Sequence, residues 1–194
     1  NENKYYKMNI NKLTNKIRFE IILMSFRSKA PHLASSLSCV DIVTILYEKI
    51  LLLNKKKPHL SDKFIMSKGH AAACLYAVLA HKKIFKKKKL LNYKKKGSLL
   101  EEHPNPKLPG VEAPTGSLGH GLSIGCGMAL ANNILKSKSR IFVLLGDGEC
   151  NEGSVWEAAM FASAKKLKNL TVIIDYNKWQ GTGRSNDILD LKPL

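Results

Sequence analysis

The sequence predicts an α/β fold, a parallel sheet with helices on both faces, and two features carry that expectation. Short apolar runs at 64–66, 141–145 and 170–174 alternate with helix-forming stretches, and strands joined by helical crossovers lie parallel. The run 141–145 shows no alternation of polar and apolar residues, as a strand buried on both faces would. With 194 residues, 44% hydrophobic and 24% charged, the chain suits one packed domain over 1–194 better than a disordered segment.

In chain order, Ile10, Leu13, Ile17, Ile21 and Met24 recur every three or four positions, the period of an amphipathic helix. A second helical face runs through Cys39, Ile42, Val43, Leu46, Tyr47 and Ile50, with Ser38 and Asp41 spaced as a capping box at its start. The strand 64–66 meets Ser67-Lys68-Gly69-His70, after which 71–80 is helix-prone. The lysine-rich stretch 82–96 reads as a helix with an exposed face, and 101–114, with four prolines, reads as loop. A second strand–turn–helix unit runs from 141–145 through Gly146 to a helix at 155–166, followed by the strand 170–174. Ligands of such sheets bind beyond the carboxyl ends of the strands. The site is therefore expected just after Leu145 and Ile174.

The net charge of +17, from 32 basic and 15 acidic residues, raises the question of nucleic acid. Only Arg18, Arg27, Arg140 and Arg184 among the basic residues are arginines, and the lysines cluster in short runs at 55–57, 86–89 and 94–96. Phosphate and base recognition favours Arg with aromatics nearby, so these runs read as solvated surface, and nucleic acid is not the expected partner. Cys39, Cys74, Cys126 and Cys150 form no CxxC pair, which points to buried free thiols rather than zinc or disulfides. There is no apolar run of membrane-spanning length and no secretory signal at 1–7; no membrane association and a cytoplasmic location are expected.

Polar residues follow both C-terminal strands: Gly146-Asp147-Gly148 after the first and Asp175-Tyr176-Asn177 after the second. If those strands are parallel neighbours, Asp147 and Asn177 face one crevice although thirty positions apart. Mg²⁺ suits such oxygen donors, because it takes one or two protein carboxylates and leaves its other positions to phosphate and water. Flanking glycines let backbone N–H groups approach a phosphate closely. A diphosphate held through Mg²⁺ is the natural ligand, although Gly-Asp-Gly alone also makes an ordinary turn.

With Asn177 thirty residues on, the Gly146-Asp147-Gly148 stretch resembles the thiamine-diphosphate enzymes, and more narrowly the N-terminal part of transketolase. The resemblance rests on five stretches in order: Ser67-Lys68-Gly69-His70; His103-Pro104 ahead of Leu108-Pro109-Gly110-Val111-Glu112; Thr115-Gly116-Ser117-Leu118-Gly119-His120-Gly121; Gly146-Asp147-Gly148-Glu149-Cys150-Asn151-Glu152-Gly153; and Asp175-Tyr176-Asn177-Lys178. With Trp156 and Trp179-Gln180, it is most similar to transketolases encoded as two subunits. The resemblance implies a thiamine-diphosphate-binding fold, with Asp147, Asn177 and the Trp179 carbonyl as Mg²⁺ ligands. It also implies that Gly116, Gly146 and Gly148 touch the cofactor through backbone groups and that Leu118 packs beside its rings. His32, His70 and His103 would line the substrate channel, where an imidazole exchanges hydrogen bonds with sugar oxygens near neutral pH. Glu152 would lie in the hydrogen-bond route between paired active sites, extended by Glu157. An exposed Glu in the first turn of a helix is the plainer alternative for Glu152.

Two departures qualify the carry-over. Leu33-Ala34 stand after His32 where the family generally has Gly, and Gly119-His120-Gly121 replaces a Gln found in many full-length members. The chain also stops at Leu194, short of the remaining elements of such a domain and of the second domain that completes the cofactor site. The resemblance thus implies a diphosphate-binding domain incomplete at its C-terminal end, working with a C-terminal transketolase subunit that carries the pyrimidine-binding domain, as a hetero-tetramer. The implied reaction moves a two-carbon ketol unit from a ketose phosphate to an aldose phosphate, with the particular sugars left open. The alternative is a truncated, non-catalytic module that serves assembly or regulation.

Overall fold

The computed structural model describes residues 2–54, 56–181 and 183–191, and the chain divides into two units, Asn1–Leu51 with His70–Val111 and Leu52–Gly69 with Glu112–Leu194. The first is helical. Helix α1 (Glu2–Ser28) packs against α2 (Leu33–Ser38), α3 (Val40–Ile45) and α4 (Ala72–His81), burying Ile17, Ile21 and Met24, three of the residues whose spacing predicts it. Helix α4 is apolar all round and buried from Ala72 to Ala80, as expected of a helix that runs through a core.

Two expectations fail in this unit. The stretch 39–50 is not one capped helix: the chain breaks at Cys39, and Leu46–Ile50 is a π-helical turn closed by the Leu51 N–H on the Leu46 carbonyl at 2.8 Å. Ser38 belongs to α2, where its hydroxyl donates back to the Ser35 carbonyl, while Asp41 accepts from Arg18. Hydroxyls that bond back into their own turn compete with helix continuation. The stretch 82–96 is not an α-helix either. Lys83 adopts a left-handed φ of 58°, and the Ile84 N–H closes onto the Leu79 carbonyl, a terminating motif that ends α4. Only a 3₁₀ segment follows, Lys87–Asn92, with Leu90 inward and the lysines of 86–89 exposed. Lys56, Lys57 and Lys94–Lys96 are exposed too, whereas Lys55 lies outside the described residues.

The second unit is built on a parallel sheet in the order β1 (Lys63–Met66), β2 (Ile141–Gly146), β3 (Leu170–Asp175). Helix α5 (His120–Ile134) packs on all three strands, and α6 (Gly153–Ala164) packs on α5. The sequence pattern does not announce α5, since Gly121, Gly125 and Gly127 lower its helical propensity; Leu122, Cys126 and Ala129, packed in a core with Ile65, Val143 and Val155, decide the outcome. Every residue of β2 is buried, as the unbroken apolar run requires, and β3 is an edge strand with Val172 and Ile174 partly exposed. After it come a short hairpin, β4 (Trp179–Gln180) and β5 (Gly183–Arg184), and α7 (Ser185–Ile188). All four cysteines are free and buried. No helix among the described residues is long and apolar enough to cross a membrane.

The starting ends of β1 and β2 are clasped by Asp62. Its buried carboxylate accepts from the Leu52 N–H (2.9 Å), the Arg140 N–H (2.8 Å) and the Arg140 guanidinium (2.6 Å to Nη2). Burial pushes this carboxyl up, but the Arg140 side chain and the two N–H groups outweigh it and hold it below the ordinary 3.8. Asp62→Asn should lower the unfolding free energy at pH 7 by about 2 kcal/mol. Because the shift is downward, the contribution is whole above the ordinary value and vanishes as the pH falls through the lower folded value. Urea titrations of both proteins from pH 7 to pH 3 should show the difference narrowing in acid, and a constant difference would contradict the clasp.

Candidate cofactor site

The register of β2 on β3 sets Gly146 opposite Asp175, so the turns leaving the two strands start side by side. Asp147 leaves β2 buried at 1% exposure, and its N–H donates to the Asp175 carbonyl. Its carboxylate is held from one side only. Oδ2 accepts from the Lys178 N–H at 2.8 Å and from the Ser185 hydroxyl at 2.7 Å, whereas Oδ1 is buried with no hydrogen-bond partner. A bare carboxylate oxygen inside a protein is costly, and a cation beside it removes the cost.

The turn leaving β3 carries an amide oxygen. Asn177 is half-buried, and its Oδ1 accepts from the Trp179 N–H at 2.9 Å, which leaves a lone pair on that oxygen. Trp179 opens β4 opposite Arg184, whose guanidinium stacks over the indole at 4.5 Å. Among the described residues no three His, Cys, Asp or Glu side chains converge as a metal site. A carboxylate oxygen with an amide oxygen suits a hard cation such as Mg²⁺. Gly148 meets the hairpin closely: a Cβ there would stand 2.4 Å from Cβ of Gln180, so a larger residue would push the hairpin away from Asp147. These residues fit a metal-bound diphosphate.

Several charged residues beneath the turns have no role assigned by the sequence pattern. Lys68, 1% exposed, places Nζ 2.6 Å from Asp175 Oδ2. Glu149, 2% exposed, accepts from the Ser67 hydroxyl, the Gly119 N–H and the Gly146 N–H. Burial pushes the Glu149 carboxyl up, opposed by those three donors and by the charge of Lys68. The one signal in the sequence is position: Lys68 and Glu149 each stand within four residues of the end of an apolar run. Cys150 is buried, and desolvation, then Glu149 and Asp147, push its thiol up to about 11, so it is no nucleophile at neutral pH.

Of the remaining expected residues, Gly116 and Leu118 lie in the loop before α5, Gly116 half-buried and Leu118 half-buried beside the exposed Ser117. That loop is fastened by the Thr115 hydroxyl donating to the Met66 carbonyl at 2.6 Å. Glu152 is exposed at the N-cap of α6 and Glu157 is exposed on the same helix. The three histidines belong to the helical unit. His32 and His70 are brought together, ring centroids 5.4 Å apart, with His32 in a left-handed conformation (φ 66°). Such a φ is rare for a residue with a Cβ and collects at functional sites. His103 is exposed, its carbonyl accepting from the Tyr76 hydroxyl.

The family described as "Transketolase, thiamine diphosphate binding domain" matches residues 10–190. One of the named subunits of apulose-4-phosphate transketolase from Phocaeicola vulgatus is 39% identical over 181 residues, covering 92% of this chain and 64% of the relative. The subunit of the same name from Actinobacillus succinogenes is 42% identical over 186 residues, covering 92% and 66%. The chain thus spans just under two thirds of the length of these relatives. Among solved structures, transketolase from Leishmania mexicana superposes with a TM-score of 0.88 at 27% identity, over 94% of this chain and 29% of that one. With a family match over nearly its whole length and a solved structure of the same fold, the chain belongs to the transketolase thiamine-diphosphate-binding family.

Proposed function

We propose that this protein is the diphosphate-binding subunit of a two-subunit transketolase, its residues 1–194 serving as one cofactor-binding domain. With a partner subunit carrying the pyrimidine-binding domain, it transfers a two-carbon ketol unit from a ketose phosphate to an aldose phosphate, in the cytoplasm and as a hetero-tetramer. The observation that carries the proposal is the buried, unpartnered Oδ1 of Asp147, at the end of β2 where β2 and β3 run parallel in register. Two relatives, each named as one subunit of a transketolase, support the division into two chains.

Asp147, Asn177 and the Trp179 carbonyl would hold Mg²⁺, Gly116, Gly146 and Gly148 would present backbone groups to the diphosphate, and Leu118 would pack beside the cofactor. When bound, thiamine diphosphate supplies the electron sink that cleavage of a carbon–carbon bond beside a carbonyl requires. His32, His70 and His103 would orient sugar hydroxyls and carbonyls by donating and accepting hydrogen bonds near neutral pH. Glu152, exposed in this chain, would meet the partner or a second copy and join a hydrogen-bond route between paired sites. Apolar side chains facing solvent on α6 (Trp156, Met160, Phe161) and β3 (Val172, Ile174) support an interface in this unit.

Tagged protein recovered from its own cells should bring down a second chain together with thiamine diphosphate. Recovery of the chain alone and free of cofactor, read by mass spectrometry, would contradict the proposal. In the recovered complex, Asp147→Ala should lower ketol transfer by about 10²-fold or more and remove its dependence on Mg²⁺. A variant that stays folded and active would sink the metal assignment. Ser185→Ala, which withdraws one of the two donors to Asp147 Oδ2, should weaken the apparent Mg²⁺ affinity about tenfold, as loss of a group supporting a metal ligand typically does. The metal concentration at half-maximal activity reads this directly, and an unchanged value would show that Ser185 does not aim the carboxylate.

A further inference from the structure

Glu149 is the most enclosed acid outside the residues assigned above, and each of its carboxylate oxygens is engaged by the protein itself. Oε1 accepts from the Ser67 hydroxyl (2.5 Å) and the Gly119 N–H (2.8 Å), and Oε2 accepts from the Gly146 N–H (3.2 Å). The donors come from three separate segments. Ser67 directly follows β1, Gly119 is the N-cap of α5, and Gly146 ends β2 and precedes Asp147.

At Gly119 the backbone is pressed close to the start of α6. Its φ is 82°, and a Cβ there would stand 2.2 Å from the Ser154 hydroxyl and 3.0 Å from Cβ of Glu152, so only a glycine fits. The loop 115–119 is therefore fastened at one end by Thr115 to β1 and at the other by Gly119 to Glu149, with Gly116 and Leu118 between the fastenings. The same carboxylate closes the turn that carries Asp147, because the Gly146 N–H bonds to the side chain three residues on.

Resting on the cofactor assignment proposed above, we propose that Glu149 is a positioning residue. It locks the 115–119 loop and the 146–148 turn into one register, so that the two backbone segments meet the diphosphate without having to be ordered by it. A site whose parts are held before the ligand arrives loses less freedom on binding and binds more tightly. A neutral amide cannot substitute. With its oxygen toward Ser67 and Gly119, Gln at 149 would turn its NH₂ group against the Gly146 N–H, donor against donor; turned the other way, it would face the Ser67 and Gly119 donors.

The test compares wild type, Glu149→Gln and Asp62→Asn, full-length and with any partner that co-purifies, by titrating thiamine diphosphate at saturating Mg²⁺. Asp62→Asn controls for loss of stability, since Asp62 clasps the opposite strand ends. Glu149→Gln should raise the dissociation constant about tenfold or more, as loss of supporting groups does at comparable sites, and Asp62→Asn should move it less than about twofold. Amide exchange at Gly119 in the cofactor-free protein should quicken more in Glu149→Gln than in Asp62→Asn, beyond what the loss of global stability in each variant accounts for. If Glu149→Gln fails to fold, Ser67→Ala, which removes one donor and leaves the carboxylate, should still quicken that exchange and weaken the cofactor about threefold. Unchanged affinity and unchanged exchange in the folded variants overturn the role of Glu149 alone. A wild-type protein that binds no thiamine diphosphate overturns the proposed function and this role with it.

Discussion

A carboxylate buried at 1% exposure, with one oxygen gripped by the Lys178 N–H and the Ser185 hydroxyl and the other without a hydrogen-bond partner, is the constraint on which the candidate site is organised. Left so, it costs on the order of 1–3 kcal/mol. On the proposed reading, the groups nearby hold that oxygen in place for a cation. The β2–β3 register starts the two turns together, the absence of a Cβ at Gly148 admits Gln180, and the hairpin carries Ser185 back to Asp147. On the same proposed reading, the free energy given up at this one atom is recovered when a cation binds beside it.

The sheet divides its labour between its ends. At the starting ends of β1 and β2, Asp62 and Arg140 form a clasp that joins the strand starts through backbone and side-chain hydrogen bonds. At the finishing ends, charges of the same kind are buried in a different arrangement: Lys68 against Asp175 and Glu149 among three donors. A buried ion pair is weak as a source of stability, because desolvation consumes most of the attraction. It can still fix geometry, and here the fixed groups are the turns that would receive the diphosphate.

The parts legible in the sequence are those written in short-range pattern. The unbroken apolar run 141–145 announces a central strand, and the polar residues after it and after 170–174 mark the place of the candidate site. Asp147 and Asn177 can be paired because parallel neighbours align their ends. Glu149 and Lys68 cannot be given roles that way, since burial and convergence of Ser67, Gly119 and Gly146 on one carboxylate are properties of the fold and not of spacing. The stretch 82–96 misleads for a related reason: its composition suits a helix, but the left-handed Lys83 ends α4 before a helix can continue. Helix α5 escapes the pattern because its glycines argue locally against helix while its packing argues for it.

On the proposed reading, Asp147 holds a ligand position ready for a divalent cation, through which a diphosphate is bound. Calorimetric titration of thiamine diphosphate into the protein with any partner that co-purifies, once with Mg²⁺ and once with EDTA, tests it most directly. Binding with Mg²⁺ that weakens by about tenfold or more in EDTA, where the bare oxygen faces the negative diphosphate without a cation between them, is the predicted result. Equal affinity in the two titrations would contradict it.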